Sequence, residues 1–173
     1  MPSQHVQNVI DVLNKARSME LQAIHQYMNQ HYNLDNMDYG EFAANIKRIA
    51  IDEMDHAEKF AERIKELDGE PVSEMAASVE RGQAFERIYP YDVNLEDDTI
   101  RKYNEFLSIC RDNHDMISAR LFQDILEEEQ AHYNYFDNTN KHIDKLGASY
   151  LAKIAGTNGD IGDTTMGFMD QGN

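Results

Sequence analysis

The chain has 173 residues, 28 % charged and 41 % hydrophobic, the size and balance of one globular domain able to bury a core. A formal net charge of −16 argues against nucleic acid as a partner and favours cations. The single cysteine, Cys110, excludes an intramolecular disulfide and a thiolate metal cluster, and is expected to be a small buried core residue.

The elements follow in chain order. MPSQHVQNVI has no apolar targeting core, and no run of about 18 apolar residues occurs, so we expect a cytoplasmic protein with no membrane partner. Ser3 is placed to cap a first helix, in which Val6, Val9, Ile10, Leu13, Leu21 and Ile24 recur at helical spacing as far as about Leu34. Asp38 with Glu41 three residues on has the pattern of a capping box, opening a second helix to about Leu67 that Gly69 and Pro71 stop. Residues 70 to about 90 hold no sustained period. At about 3.3 Å per residue that stretch can run the full length of a helical bundle. A third helix is expected from about 91 to 112, its start obscured by Pro90. A tight break at Asp112-Asn113-His114-Asp115 precedes a fourth helix to Leu146, ended by Gly147, and Ser149 to Ala155 can form a short fifth. From Gly156 the chain is rich in Gly, Asp, Thr and Asn. The division expected is therefore a folded domain over 1–155 and a mobile tail over 156–173.

Chemistry enters through a repeat. Glu53-Met54-Asp55-His56 and Glu129-Gln130-Ala131-His132 each put a glutamate and a histidine about one turn apart on a single helix face. The two copies lie 76 residues apart, and the same offset links Glu20 to Glu96 and Tyr27 to Tyr103. The pattern Glu-x6-Tyr, then Glu-x-x-His 33 residues later, therefore occurs twice, as in a duplicated helical hairpin. Each half would give one glutamate from its first helix and a Glu–His pair from its second. Four carboxylates and two imidazoles are the composition of a dinuclear site inside a four-helix bundle. Iron or manganese suits such a set, and zinc can bind it too. Without cations, four buried glutamates would be prohibitively costly to ionise together. Tyr27 and Tyr103 fall two turns after Glu20 and Glu96 on the same faces, and a buried phenol there would bond a bridging carboxylate.

Met19-Glu20-Leu21-x-Ala23-Ile24-x-Gln26-Tyr27, Ile51-Asp52-Glu53-Met54-x-His56-Ala57-Glu58 and Glu128-Glu129-x-x-His132 resemble the bacterioferritins, haem-containing members of the ferritin-like superfamily, over residues about 5 to 155. The resemblance implies an all-α ferritin-like four-helix bundle, with a long crossover between helices 2 and 3 and a short fifth helix. It further implies a 24-subunit shell built from dimers that oxidises Fe(II) with O2 or peroxide and stores the ferric mineral. Glu20, Glu53, His56, Glu96, Glu129 and His132 would then be the di-iron ligands, Glu53 and Glu129 the bridges, and Tyr27 an auxiliary residue of the same site. Met54 would bind a haem shared by two subunits across a twofold axis, and a ferredoxin would deliver electrons for iron release. Geometry agrees with the haem assignment, since Met54 lies about 100° from Glu53 on the helical wheel, away from the metals. Ala50, Ile51 and Ala61 are expected beside it in an outward apolar patch. One departure concerns an inner-surface iron site that some family members have. Arg48 stands where they carry a histidine, leaving Asp52 alone to attract Fe(II).

Two other functions fit the same elements. A rubrerythrin-like peroxidase would keep the site and store nothing, although its usual four-cysteine module is missing from a chain with one cysteine. An electron-carrying haem bundle would leave the glutamates structural.

Overall fold

The computed structural model describes residues 3–162 and 166–170. Five helices account for most of them: α1 (Gln4–Asn36), α2 (Gly40–Glu66), α3 (Phe85–Asp112), α4 (Met116–Leu146) and α5 (Ala148–Ile154). The described residues include no strand, only an isolated bridge between Tyr39 and Thr157. α1 packs along α2 and α3 along α4, making two hairpins that face one another, while α5 rests on α4 and α2. This is the expected bundle.

Local side-chain caps start two of the helices. Ser3 Oγ accepts from the Val6 N–H, and Asp115 accepts from the Ile117 and Ser118 N–H groups at 3.1 and 2.9 Å. The capping box expected at Asp38 and Glu41 does not form. Asp38 sits in the left-handed region at φ 64°, and Tyr39 takes the cap position with no side-chain bond. The Glu41 N–H donates instead to Thr157 Oγ1 at 2.8 Å, so the cap of α2 comes from 116 residues further along. Gly40 admits that contact, because a Cβ there would lie 1.9 Å from the Thr157 carbonyl oxygen.

α3 begins at Phe85, earlier than expected, and carries Pro90 inside it. Proline there removes one ladder bond. Aromatic packing outweighs the loss: the Phe85 ring lies 5.1 Å from Tyr39, and Tyr89, wholly buried, meets Phe42 at 5.2 Å. The crossover from α2 to α3 follows α1, fixed by side chains at successive levels. Asn14 bonds the backbone of Glu70 and Val72, Arg17 the Val72 carbonyl, and Gln26 both the N–H and the carbonyl of Glu80.

The core has two apolar layers. One holds Leu13, Phe60, Ile64, Tyr103, Cys110 and Phe122; the other holds Tyr27, Leu34, Phe42, Ile49, Tyr89 and Phe136. On every long helix the apolar stripe breaks at the same height, at Glu20, at Glu53 and His56, at Glu96, and at Glu129 and His132. A charged layer is thus enclosed between two greasy ones. Of the segment after α5, expected to be a mobile tail, residues 155–162 and 166–170 are described and lie against α2, while 163–165 and 171–173 fall outside the described residues. The Gly156 N–H bonds the Asp38 carbonyl, Ile161 is buried, and the Phe168 N–H reaches the Arg48 carbonyl at 3.2 Å.

Candidate metal centre

The six side chains singled out by the repeat meet in that middle layer, each at most 2 % exposed. They form two nests of ligand atoms, each with its atoms within 4.8 Å of one another: Glu20, Glu53, His56 and Glu129 in one, and Glu53, Glu96, Glu129 and His132 in the other. Glu53 and Glu129 belong to both. The duplicated sequence has become a duplicated nest.

Protons and hydrogen bonds hold the cluster together. His56 Nδ1 lies 3.0 Å from Glu53 Oε2 and 3.1 Å from Glu129 Oε1, with its N–H directed at Glu53. His132 Nδ1 lies 3.4 Å from Glu53 Oε1 and 3.6 Å from Glu129 Oε2. Burial opposes charge on both imidazoles, yet the carboxylates of Glu128 and Glu129 beside His56, and of Asp52 and Glu129 beside His132, raise their pKa values well above the ordinary one. Burial also opposes charge on Glu53 and Glu129, but the two histidines beside them hold both carboxyls below their usual range. Glu20 and Glu96 go the other way. Burial, then the charges of Glu53 and Glu129, push them well up. His132 Nδ1 is buried and makes no hydrogen bond, and Glu129 Oε1 has only the ion-pair approach of His56. A buried imidazole nitrogen without a bond, set in a shared nest of carboxylates, fits a pair of divalent cations, which would take its lone pair and neutralise the layer.

The tyrosines are arranged differently from expectation. Tyr27 donates to Glu96 and Tyr103 to Glu20, each bonding the glutamate of the opposite hairpin and neither bonding Glu53 or Glu129. Helix pairing explains it, because a phenol two turns along α1 reaches across to α3 rather than back down its own axis.

Two contributors escaped the sequence reading. His56 Nε2 meets Glu128 at 3.1 Å and His132 Nε2 meets Asp52 at 3.0 Å. Carboxylates at Nε2 fix both rings so that Nδ1 faces the nest. Asp52, expected to attract Fe(II) by itself, is 6 % exposed and committed to this bond. The signal was present, for Asp52 and Glu128 are also 76 residues apart.

Met54 lies outside the layer, half exposed, on a cleft of about 450 Å3 shared with Leu21, Ile24, Ala57 and Ala61. The expected neighbours are corrected in part. Ala61 is there, but Ala50 is fully buried in the core and Ile51 borders a different cleft, beside Asp52. α1 covers a wider arc of α2 than a single-helix wheel shows, and it supplies two walls of the cleft itself. An accessible thioether on an apolar cleft fits a flat macrocycle ligated through sulfur.

A bundle enclosing two carboxylate–histidine nests defines the ferritin-like class of protein. Residues 10–146 match the model of the ferritin-like domain. The chain is 60 % identical to the bacterioferritin of Desulfovibrio desulfuricans over 161 residues, 93 % of this chain and 90 % of that one. It is 33 % identical to bacterioferritin BfrA of Mycobacterium tuberculosis over 140 residues, 81 % and 88 % of the two chains. An X-ray structure of the Desulfovibrio desulfuricans protein, described with its diiron site in different catalytic states, superposes with a TM-score of 0.91 at 57 % identity, covering 96 % of this chain and 99 % of that one. The Mycobacterium tuberculosis BfrA structure gives 0.83 at 31 %, covering 90 % and 97 %. The chain belongs to the ferritin-like family and, within it, to the bacterioferritins.

Proposed function

We propose that this protein stores iron as a ferroxidase: it takes two Fe(II) per chain into the paired nests, passes their electrons to O2 or peroxide, and deposits the ferric product as mineral. The observation that carries this reading is the pair of nests sharing Glu53 and Glu129, with His132 Nδ1 buried inside them and making no hydrogen bond. Glu53 and Glu129, shared by both nests, would hold both irons. Glu20 and His56 would complete one position, and Glu96 and His132 the other. Glu128 and Asp52 hold the two imidazoles in orientation, while Tyr103 and Tyr27 each occupy one oxygen of Glu20 or Glu96 and steady the other toward iron. Iron supplies the redox chemistry, and the protein supplies the dry, shaped cavity in which two electrons leave together.

Copies of the chain assemble, and we place the assembly at 24 subunits built from dimers, in the cytoplasm, enclosing the mineral. Met54 from each of two subunits would ligate one haem, with Leu21, Ile24, Ala57 and Ala61 offering apolar surface to the macrocycle and Arg17 and Glu58 at the cleft's edge. The haem supplies a one-electron relay when bound, and a ferredoxin is the kind of donor it would accept from. Among the described residues no helix is long and apolar enough to cross a membrane.

Anaerobic Fe(II) titration of the metal-free protein tests the centre. Uptake should saturate at two per chain, with metals about 3.5 to 4 Å apart. His132→Ala should slow oxidation by more than about tenfold with helix content unchanged. A single iron bound by other residues, or wild-type rates in His132→Ala, would remove the reading.

A further inference from the structure

We propose that Met166–Asp170 is a strap that closes the metal centre on its α2–α4 side and fixes His132 through Asp52, so that the two metal positions exchange at different rates. This inference rests on reading the six buried side chains as metal ligands. Three consecutive residues make the contacts that build the strap. Gly167 lies so close to α2 that a Cβ there would sit 1.6 Å from Asp52 Oδ1 and 2.7 Å from its Cγ, so any side chain must displace either the strap or Asp52. Phe168 donates its N–H to the Arg48 carbonyl at 3.2 Å, one turn before Asp52, and lays its ring edge-on to His132 at 6.1 Å and against Tyr135 at 5.3 Å. Met169 donates its N–H to Asp52 Oδ2 at 3.1 Å, the same oxygen that lies 3.0 Å from His132 Nε2. One carboxylate oxygen therefore joins the strap to a metal-facing imidazole.

Among the described residues no backbone segment covers the other half of the duplicated centre in this way. Glu128, which orients His56 as Asp52 orients His132, is a quarter exposed, has only the partly exposed Lys59 ammonium at 3.7 Å as its other partner, and borders an open cleft of about 330 Å3. The strap residues Gly167 and Met169 form the wall of that cleft on the Asp52 side. Metal leaving through the cleft meets a partly solvated orienting carboxylate at His56 and, at His132, a buried one held by backbone. Orienting partners of ligand histidines control metal retention by about 10- to 100-fold, so locking one of two equivalent partners makes the positions unequal. The position held by Glu96 and His132 should be the slow one.

Co(II) is the probe, because its visible absorption reports ligation without turnover. Metal-free assembled protein is loaded with two Co(II) per chain and chased with excess EDTA. Wild type should release Co(II) in two phases of similar amplitude. In Gly167→Ala, and in a chain ending at Gly162, the slow phase should quicken about tenfold or more and merge toward the fast one. The thermal midpoint is measured alongside: a purely structural role would lower it and leave release unchanged. Single-phase release from wild type, or a slow phase unaltered in both variants, overturns the strap while leaving the ligand reading intact. Failure of wild type to bind two Co(II) per chain takes both down.

Discussion

At the residue scale, the decisive feature is how protons stand in for metal. Glu20 and Glu96, pushed up by burial and by the Glu53 and Glu129 charges, and His56 and His132, raised by their carboxylate partners, are all shifted toward holding protons in the metal-free protein. Glu53 and Glu129 are shifted the other way, toward the ionised form. Metal must displace the retained protons. Affinity should therefore fall as pH falls, and binding should release protons. Calorimetry in buffers of different ionisation enthalpy reads that release directly, and an affinity constant between about pH 6 and 8 would contradict it. Met54 belongs to the same scale. Met54→Leu keeps the side-chain volume and removes the sulfur, so assembly should survive, haem should be lost, and Fe(II) oxidation should continue at close to the normal rate. Full haem occupancy with an unchanged spectrum in that variant would remove the assignment.

At the scale of elements, each of the four long helices is amphipathic and carries a buried acidic break at one shared level, and aligning the four breaks costs apolar burial in the middle of the bundle. The layers holding Phe60 and Phe122 on one side and Phe42 and Phe136 on the other supply the packing that keeps the polar layer closed. α2 depends on distant chain for its N-terminus, since Thr157 Oγ1 is the acceptor for Glu41 N–H. Thr157→Val should lose about 1 kcal/mol of helix capping. For a chain of this size that corresponds to a fall of about 2–4 °C in the thermal midpoint of the metal-free protein. An unchanged midpoint would show that water replaces the hydroxyl without cost.

At the scale of the whole molecule, the charge of −16 and the closed metal layer describe a protein that draws in cations and has somewhere to send them. Twenty-four chains of 20.0 kDa make a particle near 480 kDa, which light scattering distinguishes from the dimer or tetramer of a rubrerythrin-like peroxidase. Iron uptake should pass well beyond two per chain and slow as added salt screens the acidic field. A small particle, or uptake that stops at two, would return the function to peroxide reduction.

The sequence by itself determined the bundle, its long crossover and the six carboxylate and imidazole side chains that converge, because a 3.6-residue period and an offset of 76 are local facts that survive in a string of letters. Tertiary structure decided what each of those residues bonds. It sent Tyr27 to Glu96 and Tyr103 to Glu20, and it made Asp52 the partner of His132 rather than an iron site of its own. It also moved Ala50 into the core and carried α3 back through Pro90 to Phe85. Composition suggested a free tail, yet Thr157 caps α2 and Gly167 closes on Asp52. The physical reason is common to all five. A helix face is fixed by neighbours in the chain, whereas the group that meets it is fixed by which other helix or segment the packed bundle brings alongside.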